Sequence, residues 1–581
     1  MPTVKHILEQ RLSAQLAAVT GVKAQANVIT ASRPEFGDYQ ANGVMAVARQ
    51  QKTNPRELAQ KIVDALLADG PDKEGLVERY EVAGPGFINI FLADKWLDTR
   101  LQQLQVNTDA LLPDTDRPQS IVVDYSSPNL AKEMHVGHLR GTIIGDCLAR
   151  VQERLGHHVI RQNHVGDWGT QFGMLITYMQ QIMVGNNSLP TALADLESFY
   201  RAAKEQFDHD PEFAERARAS VVKLQAGAPE YTEIWRRFIE ESLRHCEAVY
   251  ERLRITLTRD DLRPESFYNA DLGEIVQLLD DRELLTVSDG ARCVFLPEFT
   301  GKDDNPLPVI VQKSDGGYLY STTDLAAIRF RCGTLAADRI LYVVDVRQSL
   351  HFQQIFAVAR RAGLASEACA LEHISYGTMM GTDGKPFKTR SGGLVKLIEL
   401  LDEAERRAFE LVTSKNPGLE ESRRRHIGRT VGMAAVKYAD LSKNRSSDYV
   451  FDWSSMLSFE GNTAPYMLYA YARIKSILRK QDGMISVEAR LRITAPEERE
   501  LALKILQFPE TVELVARECY PNHLCSALYE LAGSFMRFYE ACPVLKAEAS
   551  VRDSRLLLAG ITAETLRLGL ELLGIETLEQ M

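Results

Sequence analysis

Met134-His135-Val136-Gly137-His138-Leu139 places two imidazoles three residues apart around a glycine. Imidazole N–H groups can donate to phosphate oxygens, and a glycine between them leaves room for a nucleotide against the backbone. The motif follows a β-branched run, Ile121-Val122-Val123-Asp124-Tyr125, and the turn residues Ser126-Ser127-Pro128-Asn129. A helical pattern then runs over 137–155 and closes at Gly156. The two histidines therefore stand where a strand ends and a helix opens, the place where doubly wound sheets bind nucleotides and where helix-end amides suit phosphate. The bland alternative is a pair of solvated histidines at a helix start. A zinc pair fits less well, because no other Cys/His cluster has ligand spacing. A second strand candidate at 158–161 completes a βαβ unit, and β-like runs at 308–312 and 340–346 are expected to extend the same parallel sheet.

The rest of the chain must hold that loop in place. Its 581 residues suggest three or four domains of roughly 100–200 residues. At 45% hydrophobic and 25% charged it is neither disordered, collagen-like nor coiled-coil. The net charge of −11 excludes coating by nucleic acid through bulk charge, so any such partner must meet local basic patches. Eight scattered cysteines with no C-x-x-C pair fit a reducing, cytoplasmic setting. The N-terminal MPTVKHILEQRLSAQL reads as an amphipathic helix rather than a signal peptide, and no apolar run approaches the ~18–20 residues of a membrane span.

Residues 1–110 read as a small α/β domain with turn-rich points at Phe36-Gly37-Asp38-Tyr39-Gln40 and Gly84-Pro85-Gly86; polar residues 107–119 form a linker. An α/β core is expected over 118–395, interrupted by a helical insertion at about 189–300. Residues 396–460 form a helical junction and 461–581 a helical domain, with apolar spacing of three and four over 400–412, 427–441, 466–479 and 562–573.

Ser126-Ser127-Pro128-Asn129-Leu130-Ala131-Lys132-Glu133 and the histidine motif together closely resemble the first signature of class I aminoacyl-tRNA synthetases, in the version of the arginyl-tRNA synthetase family. Three further blocks resemble that family: Asn163-His164-Val165-Gly166-Asp167-Trp168-Gly169, then Tyr320-Ser321-Thr322-Thr323-Asp324-Leu325, then Asp452-Trp453 through Tyr466. The resemblance spans nearly the whole chain. It implies a Rossmann-like parallel-sheet catalytic core, an additional N-terminal α/β domain that meets the tRNA core, and an all-helical anticodon-binding domain. It further implies that ATP with Mg2+, L-arginine and tRNA(Arg) are the partners of a monomer, with no metal held by protein side chains.

On the same ground, His135, Val136, Gly137, His138, Met379 and Met380 are expected at ATP. Asp124, Ser127, Asn129, His135, Tyr320, Asp324 and Gln348 are expected at arginine, with Asp124 toward the α-amino end and Asp324 at the guanidinium. A planar, permanently charged fork of donors calls for fixed carboxylates. Read without the family, Asp324 is equally an N-cap for a helix over 325–331, and Asp124 a strand-end turn former. The insertion is too short for the editing domain of relatives specific for Leu, Ile or Val, and arginine has no close isostere that demands editing.

The second signature departs from the usual K-M-S-K-S. Here Gly381-Thr382-Asp383-Gly384-Lys385-Pro386-Phe387-Lys388-Thr389-Arg390 keeps K-x-x-K-T spacing in one register and puts Thr389 at the second lysine position in the other. Lys385, Lys388 and, beside the first signature, Lys132 are the candidates to meet the triphosphate. For RNA, residues 421–450 carry seven Lys/Arg, including Lys437 and Arg445, against three acids. Tyr466, Tyr469, Tyr471 and Arg473 suit stacking on splayed bases or, equally, a core. Tyr39 and Met581 join the tRNA-binding set by resemblance. A stand-alone nucleotidylyltransferase would leave the helical C-terminal third unused, and a non-catalytic RNA-binding relative would be expected to have lost the histidines or the lysine loop.

Overall fold

The computed structural model describes residues 2–70, 75–106, 108–112, 114–185, 196–301, 305–387, 395–481 and 489–581. Lys388 and the residues after it to 394 lie outside that set. Ile121, Val122 and Val123 are wholly buried in the strand Ser120–Asp124, as expected of a parallel strand covered on both faces. This strand pairs in parallel with His158–Gln162 on one side and Arg339–Tyr342 on the other, beyond which lies Ala370–His373. The chain leaves the central strand toward one side and returns later on the other. Strand order thus reverses between Ser120–Asp124 and Arg339–Tyr342, and a ligand crevice opens at the carboxyl ends of such a pair.

The helix Leu139–Arg154 lies hard against the central strand's exit. A Cβ on Gly145 would stand 2.2 Å from Cβ of Tyr125, so only glycine permits this approach. The general cost of glycine inside a helix, about 1 kcal/mol, is offset by the packing it allows. That contact fixes the histidine turn over the sheet.

The run at 308–312 does not join the parallel sheet. Pro306–Gln312 pairs antiparallel with Ala291–Thr300, which pairs with Leu285–Ser288, in a separate three-stranded sheet. Alternating burial along 306–312 explains the difference: this sheet has a solvated face, which the parallel strands lack. The inserted stretch contains the helices Leu196–His209, Pro211–Gln225 and Pro229–Leu253; the second is capped by the Asp210 carboxylate, which accepts from the amides of Glu212 and Phe213.

Near the N-terminus, Val28–Thr30, Tyr39–Ala41, Phe87–Leu92 and Val77–Ala83 form an antiparallel sheet in that order. It docks on the C-terminal helix Pro496–Glu518. The Tyr39 hydroxyl donates to Glu510 at 2.7 Å, and Arg499 grips both oxygens of Asp38 at 2.8 Å. Tyr39 is wholly buried in this joint, so it offers no ring face to RNA, contrary to its expected role. The remaining C-terminal helices are Leu397–Lys415, Glu421–Leu441, the short Trp453–Met456, Ala464–Arg479, Asn522–Ala541 and Ala549–Leu572, and a short strand Tyr449–Val450 interrupts the helices by pairing with Met379–Met380.

Candidate functional site

Ser126 and Ser127 both adopt left-handed backbone, at φ 71° and 44°, which swings the chain sharply off the central strand. Such positions cost a residue with a side chain on the order of 1–3 kcal/mol and persist only where the surroundings enforce them. Here they do. The Ser126 hydroxyl bonds Thr142 at 2.9 Å and Tyr250 at 2.7 Å, while the Ser127 amide donates to Asn163 Oδ1 at 2.9 Å. Beyond them His135 begins a 3-10 turn, Val136–His138. The two histidines cap one another: His135 Nδ1 accepts from the Gly137 amide, and His138 Nδ1 accepts from the His135 amide, each at 3.1 Å. Their rings lie 4.0 Å apart. The turn is tied to the end of the lysine-loop segment, because the Val136 amide donates to Val395 O and the Leu397 amide to Met134 O.

This bonding settles the protonation of both rings. Burial lowers His135, with Lys132 adding repulsion; burial lowers His138 to about 3, helped by His135. Each Nδ1 is already an acceptor, so each ring is neutral with its proton on Nε2, and the pair presents N–H donors rather than cations. Nitrogen-15 spectra of the free protein are expected to show the Nε2–H tautomer for both, without protonation through the ordinary imidazole range near pH 6.5. A His138 titrating at its usual value would contradict this. The unfolded chain takes up protons there before the loop does, so these histidines make the fold less stable as pH falls below about 6.5.

On the other side of the crevice the helix Tyr320–Arg329 starts five residues earlier than the expected 325, with Leu319 as its N-cap. Asp324 is therefore inside the helix and is no cap. Its Oδ2 lies 2.6 Å from His351 Nε2 and its Oδ1 4.0 Å from His164 Nε2. Tyr320, 61% exposed, packs edge-on against His351 at 4.9 Å. Glu265, which sequence reading missed, is held up at about 7, chiefly by burial; the Asp167 and Asp324 charges push the same way and His164 opposes them. Glu265 thus resists ionisation in its buried setting, and a bound cation nearby would relieve it.

Asp124 meets a different guanidinium. Arg331, 1% exposed, sets Nη2 2.8 Å from Asp124 Oδ2, donates from Nε to Gln162 at 2.6 Å, and lies 5.0 Å over the Tyr342 ring. The Ser127 hydroxyl donates to the other Asp124 oxygen at 3.0 Å. Asp124 is thus neutralised from within the chain rather than standing as a bare anion.

The other expected residues divide. Asn129 folds its side-chain oxygen back onto the Ala131 amide at 3.0 Å. Gln348 is exposed at the end of the turn Val346–Gln348, just past the strand Arg339–Tyr342. Met379–Met380 is a two-residue strand with Met379 buried; the hairpin that follows closes through Gly381 N–H to Lys385 O at 2.7 Å and leaves Lys385 exposed. Lys132 Nζ sits 4.3 Å over the ring of Tyr200 on an inserted helix. In the C-terminal part Tyr471 is core, at 2% exposure, while Tyr469 is exposed and accepts from Arg473 at 3.2 Å. Arg473 also lies 5.0 Å over Tyr539, Tyr466 is half-buried against Tyr529, and Met581 is half-buried against the core. Two of the seven basic residues at 421–450 are structural: Lys437 donates to Leu253 O and Gly574 O, and Arg445 to Cys519 O and Ser375 O. Among the residues missed, Asn163 and His164 carry a local signal, the N-H-V-G-D-W-G block; Glu265, Arg331 and His351 carry none.

Comparison with known proteins agrees with this geometry. Residues 100–453 match the family described as tRNA synthetases class I (R), catalytic domain. Residues 467–581 match the DALR anticodon binding domain and residues 4–92 the arginyl tRNA synthetase N terminal domain. The chain is 55% identical over 580 residues to the arginine–tRNA ligase of Marinomonas sp. and 56% identical over 579 residues to that of Laribacter hongkongensis, covering all of both chains in each case. The crystal structure of arginyl-tRNA synthetase from Plasmodium falciparum superposes with a TM-score of 0.85 at 30% identity, and that from Thermus thermophilus with 0.82 at 27%, again over the full length of both chains. The crevice with its paired histidine donors and its acid-rich far end, read with these matches, places the chain in the arginyl-tRNA synthetase family of class I.

Proposed function

We propose that the chain ligates L-arginine to its cognate tRNA through an arginyl-adenylate, with ATP as co-substrate. A carboxylate oxygen of arginine attacks the α-phosphorus and pyrophosphate leaves; a terminal ribose hydroxyl of the tRNA then attacks the adenylate carbonyl and AMP leaves. No side-chain nucleophile takes part, so catalysis is positioning plus neutralisation of charge that develops on phosphate. The observation that carries the reading is Asp324, held by His351 within 2.6 Å, 4.0 Å from His164 and acting on the charge of Glu265.

In this reading the arginine guanidinium meets Asp324, Glu265 and Tyr320, with Gln348, Ser127 and Asn129 toward the amino-acid backbone. Asp124, bound to Arg331, fixes the Ser127 hydroxyl and touches substrate through that serine. His135 and His138 donate to phosphate, Gly137 and the Met379–Met380 strand flank the nucleotide, and Mg2+ travels with the triphosphate as part of the substrate. Lys385 and Lys388 are the lysines that neutralise charge on the triphosphate. Residues 1–110 meet the tRNA core and 461–581 the anticodon, where Tyr469, Arg473 and the neighbouring Tyr466 present rings and charge. The protein works as a cytoplasmic monomer.

Charging purified tRNAs with labelled amino acids, one at a time, tests the assignment: arginine alone should be taken up, and acceptance of any other amino acid in its place overturns it. The lysine roles are tested by single Ala substitutions of Lys132, Lys385 and Lys388 in pyrophosphate exchange. Lys385→Ala should slow exchange by at least about tenfold, in line with loss of one charged contact to the transferring group. Lys132→Ala should do less, because its ammonium is engaged with Tyr200. Near wild-type rates in all three would remove lysine from the triphosphate site.

A further inference from the structure

All eight cysteines are free, and two of them touch: Sγ of Cys332 lies 3.3 Å from Sγ of Cys369. Cys332 belongs to the π-turn Phe330–Thr334 that ends the helix Tyr320–Arg329, and it is half-buried beside the exposed Gly333 and Thr334. Cys369, at 4% exposure, leads into the edge strand Ala370–His373. Arg360 donates to the carbonyls of Ser366 and Cys369, which seats a guanidinium beside both sulfurs. The hydrogen bond between the two sulfurs, with Arg360 assisting, draws the Cys369 thiol below its ordinary range, while the same bond pushes Cys332 up. One sulfur is thereby the nucleophile and the other its proton-bearing partner.

We propose that Cys332 and Cys369 are a reversible disulfide site for peroxide, and that the bond is felt in the arginine pocket through Arg331. The bond itself stands independently of the arginine reading; its effect on activity rests on that reading. Cys369 sulfur attacks one oxygen of hydrogen peroxide; an S–O bond forms, the O–O bond breaks, and hydroxide leaves as water with the thiol proton. Cys332 sulfur then attacks Cys369 sulfur; the S–S bond forms, the S–O bond breaks, and a second water leaves with the Cys332 proton. The two sulfurs lose two electrons and the peroxide gains them.

A disulfide holds its sulfurs at about 2.05 Å, so the pair must close by roughly 1.2 Å. Cys369 is backed by the sheet, whereas Cys332 sits in a single π-turn, a form that often marks functional sites. The turn therefore yields. Arg331 is the residue just before Cys332 in the same turn, and its grip on Asp124 and Gln162 has little slack at 2.8 and 2.6 Å. Movement of Arg331 loosens Asp124 and with it the Ser127 hydroxyl, on the amino-acid side of the crevice and away from the histidine pair.

The test uses the reduced full-length enzyme and a small excess of hydrogen peroxide. Peptide mapping without reductant should find Cys332 joined to Cys369, lighter than the two free peptides by two hydrogens. Thiol titration of the denatured protein should fall from eight groups to six. In pyrophosphate exchange the arginine KM should rise at least threefold with the ATP KM unmoved, and dithiothreitol should reverse it. Cys332→Ser and Cys369→Ser should each abolish the KM response. Eight thiols surviving the peroxide, or a bond formed between other cysteines, would overturn the site. A Cys332–Cys369 linked peptide with unchanged arginine KM would overturn the coupling through Arg331. Failure of the arginine pocket itself would appear separately, as an Asp324→Asn enzyme with normal arginine KM.

Discussion

Asp324→Asn is expected to raise the arginine KM in pyrophosphate exchange by roughly 30- to 4,000-fold, equivalent to about 2–5 kcal/mol for a lost charge-assisted pair, with the ATP KM little changed. The fork of a guanidinium engages carboxylate oxygens in parallel hydrogen bonds, and an amide can return only one acceptor while turning a donor toward the same cation. The swap preserves shape, and the amide oxygen can still accept from His351, so the bond at 2.6 Å need not be lost. Charge is then the variable. Loss of a helix cap cannot account for an effect, since the helix starts at Tyr320 with Leu319 as its cap. Asp324 retains 18% side-chain exposure without substrate, so the upper end of the range requires the pocket to exclude water once arginine is bound. An unchanged arginine KM would sink the assignment and move the burden to Glu265.

His138→Ala should slow adenylate formation by about 100- to 1,000-fold, the loss found when one preorganised donor to a developing oxyanion is removed. The argument rests on the mutual capping. Because His138 Nδ1 already accepts from the His135 amide, its Nε2–H is aimed before ATP arrives and pays no reorganisation when phosphate charge builds. Alanine removes that donor and also the acceptor that fixes His135, so both rings lose their setting. Arginine binding measured by calorimetry without ATP should survive, because the Asp324 pocket lies across the crevice on a different helix. If arginine affinity falls as far as the rate, the turn serves the whole site and its phosphate role is wrong. Salt and pH offer a second check: a neutral donor gives little rate change across pH 6.5, whereas an imidazolium would lose function as it deprotonates.

Legibility in the sequence followed the range over which each feature is decided. The central strand was readable because Ile121 to Val123 are β-branched and adjacent, and the histidine turn because its chemistry lies within four residues. The start of the Asp324 helix was not. Asp324 read as an N-cap for a helix over 325–331, yet the hydroxyls of Ser321 and Thr322 bond the carbonyls of Ile310 and Val311 in the neighbouring strand, so tertiary contacts carry the helix back to Tyr320. The run at 308–312 has the composition of a strand in either sheet, and its partner was set by Ala291–Thr300 rather than by its own residues. Lys437 and Arg445 read as part of a basic patch for RNA, and Arg331 drew no reading of its own, because nothing near them in the chain announces the carboxylate or carbonyls that bury them. Glu265 belongs to the same class: its place beside Asp324 depends on how the chain between the two strands folds back.

The joint between Tyr39 and Glu510 has a bearing on how the protein is made. Its two residues are 471 apart in the chain, and the Arg499 clamp on Asp38 spans 461. At ~5–20 residues per second on the ribosome, the first domain waits roughly 25–90 s for the helix that receives it. Throughout that time the surface around Tyr39 and Asp38 faces solvent, nascent chain and any other partner in reach, with its permanent cover not yet synthesised. The helix Pro496–Glu518 closes, at Arg499, onto a domain whose Asp38 was made 461 residues earlier, so a ribosome that stalls before residue 499 releases a product in which that face is unsealed.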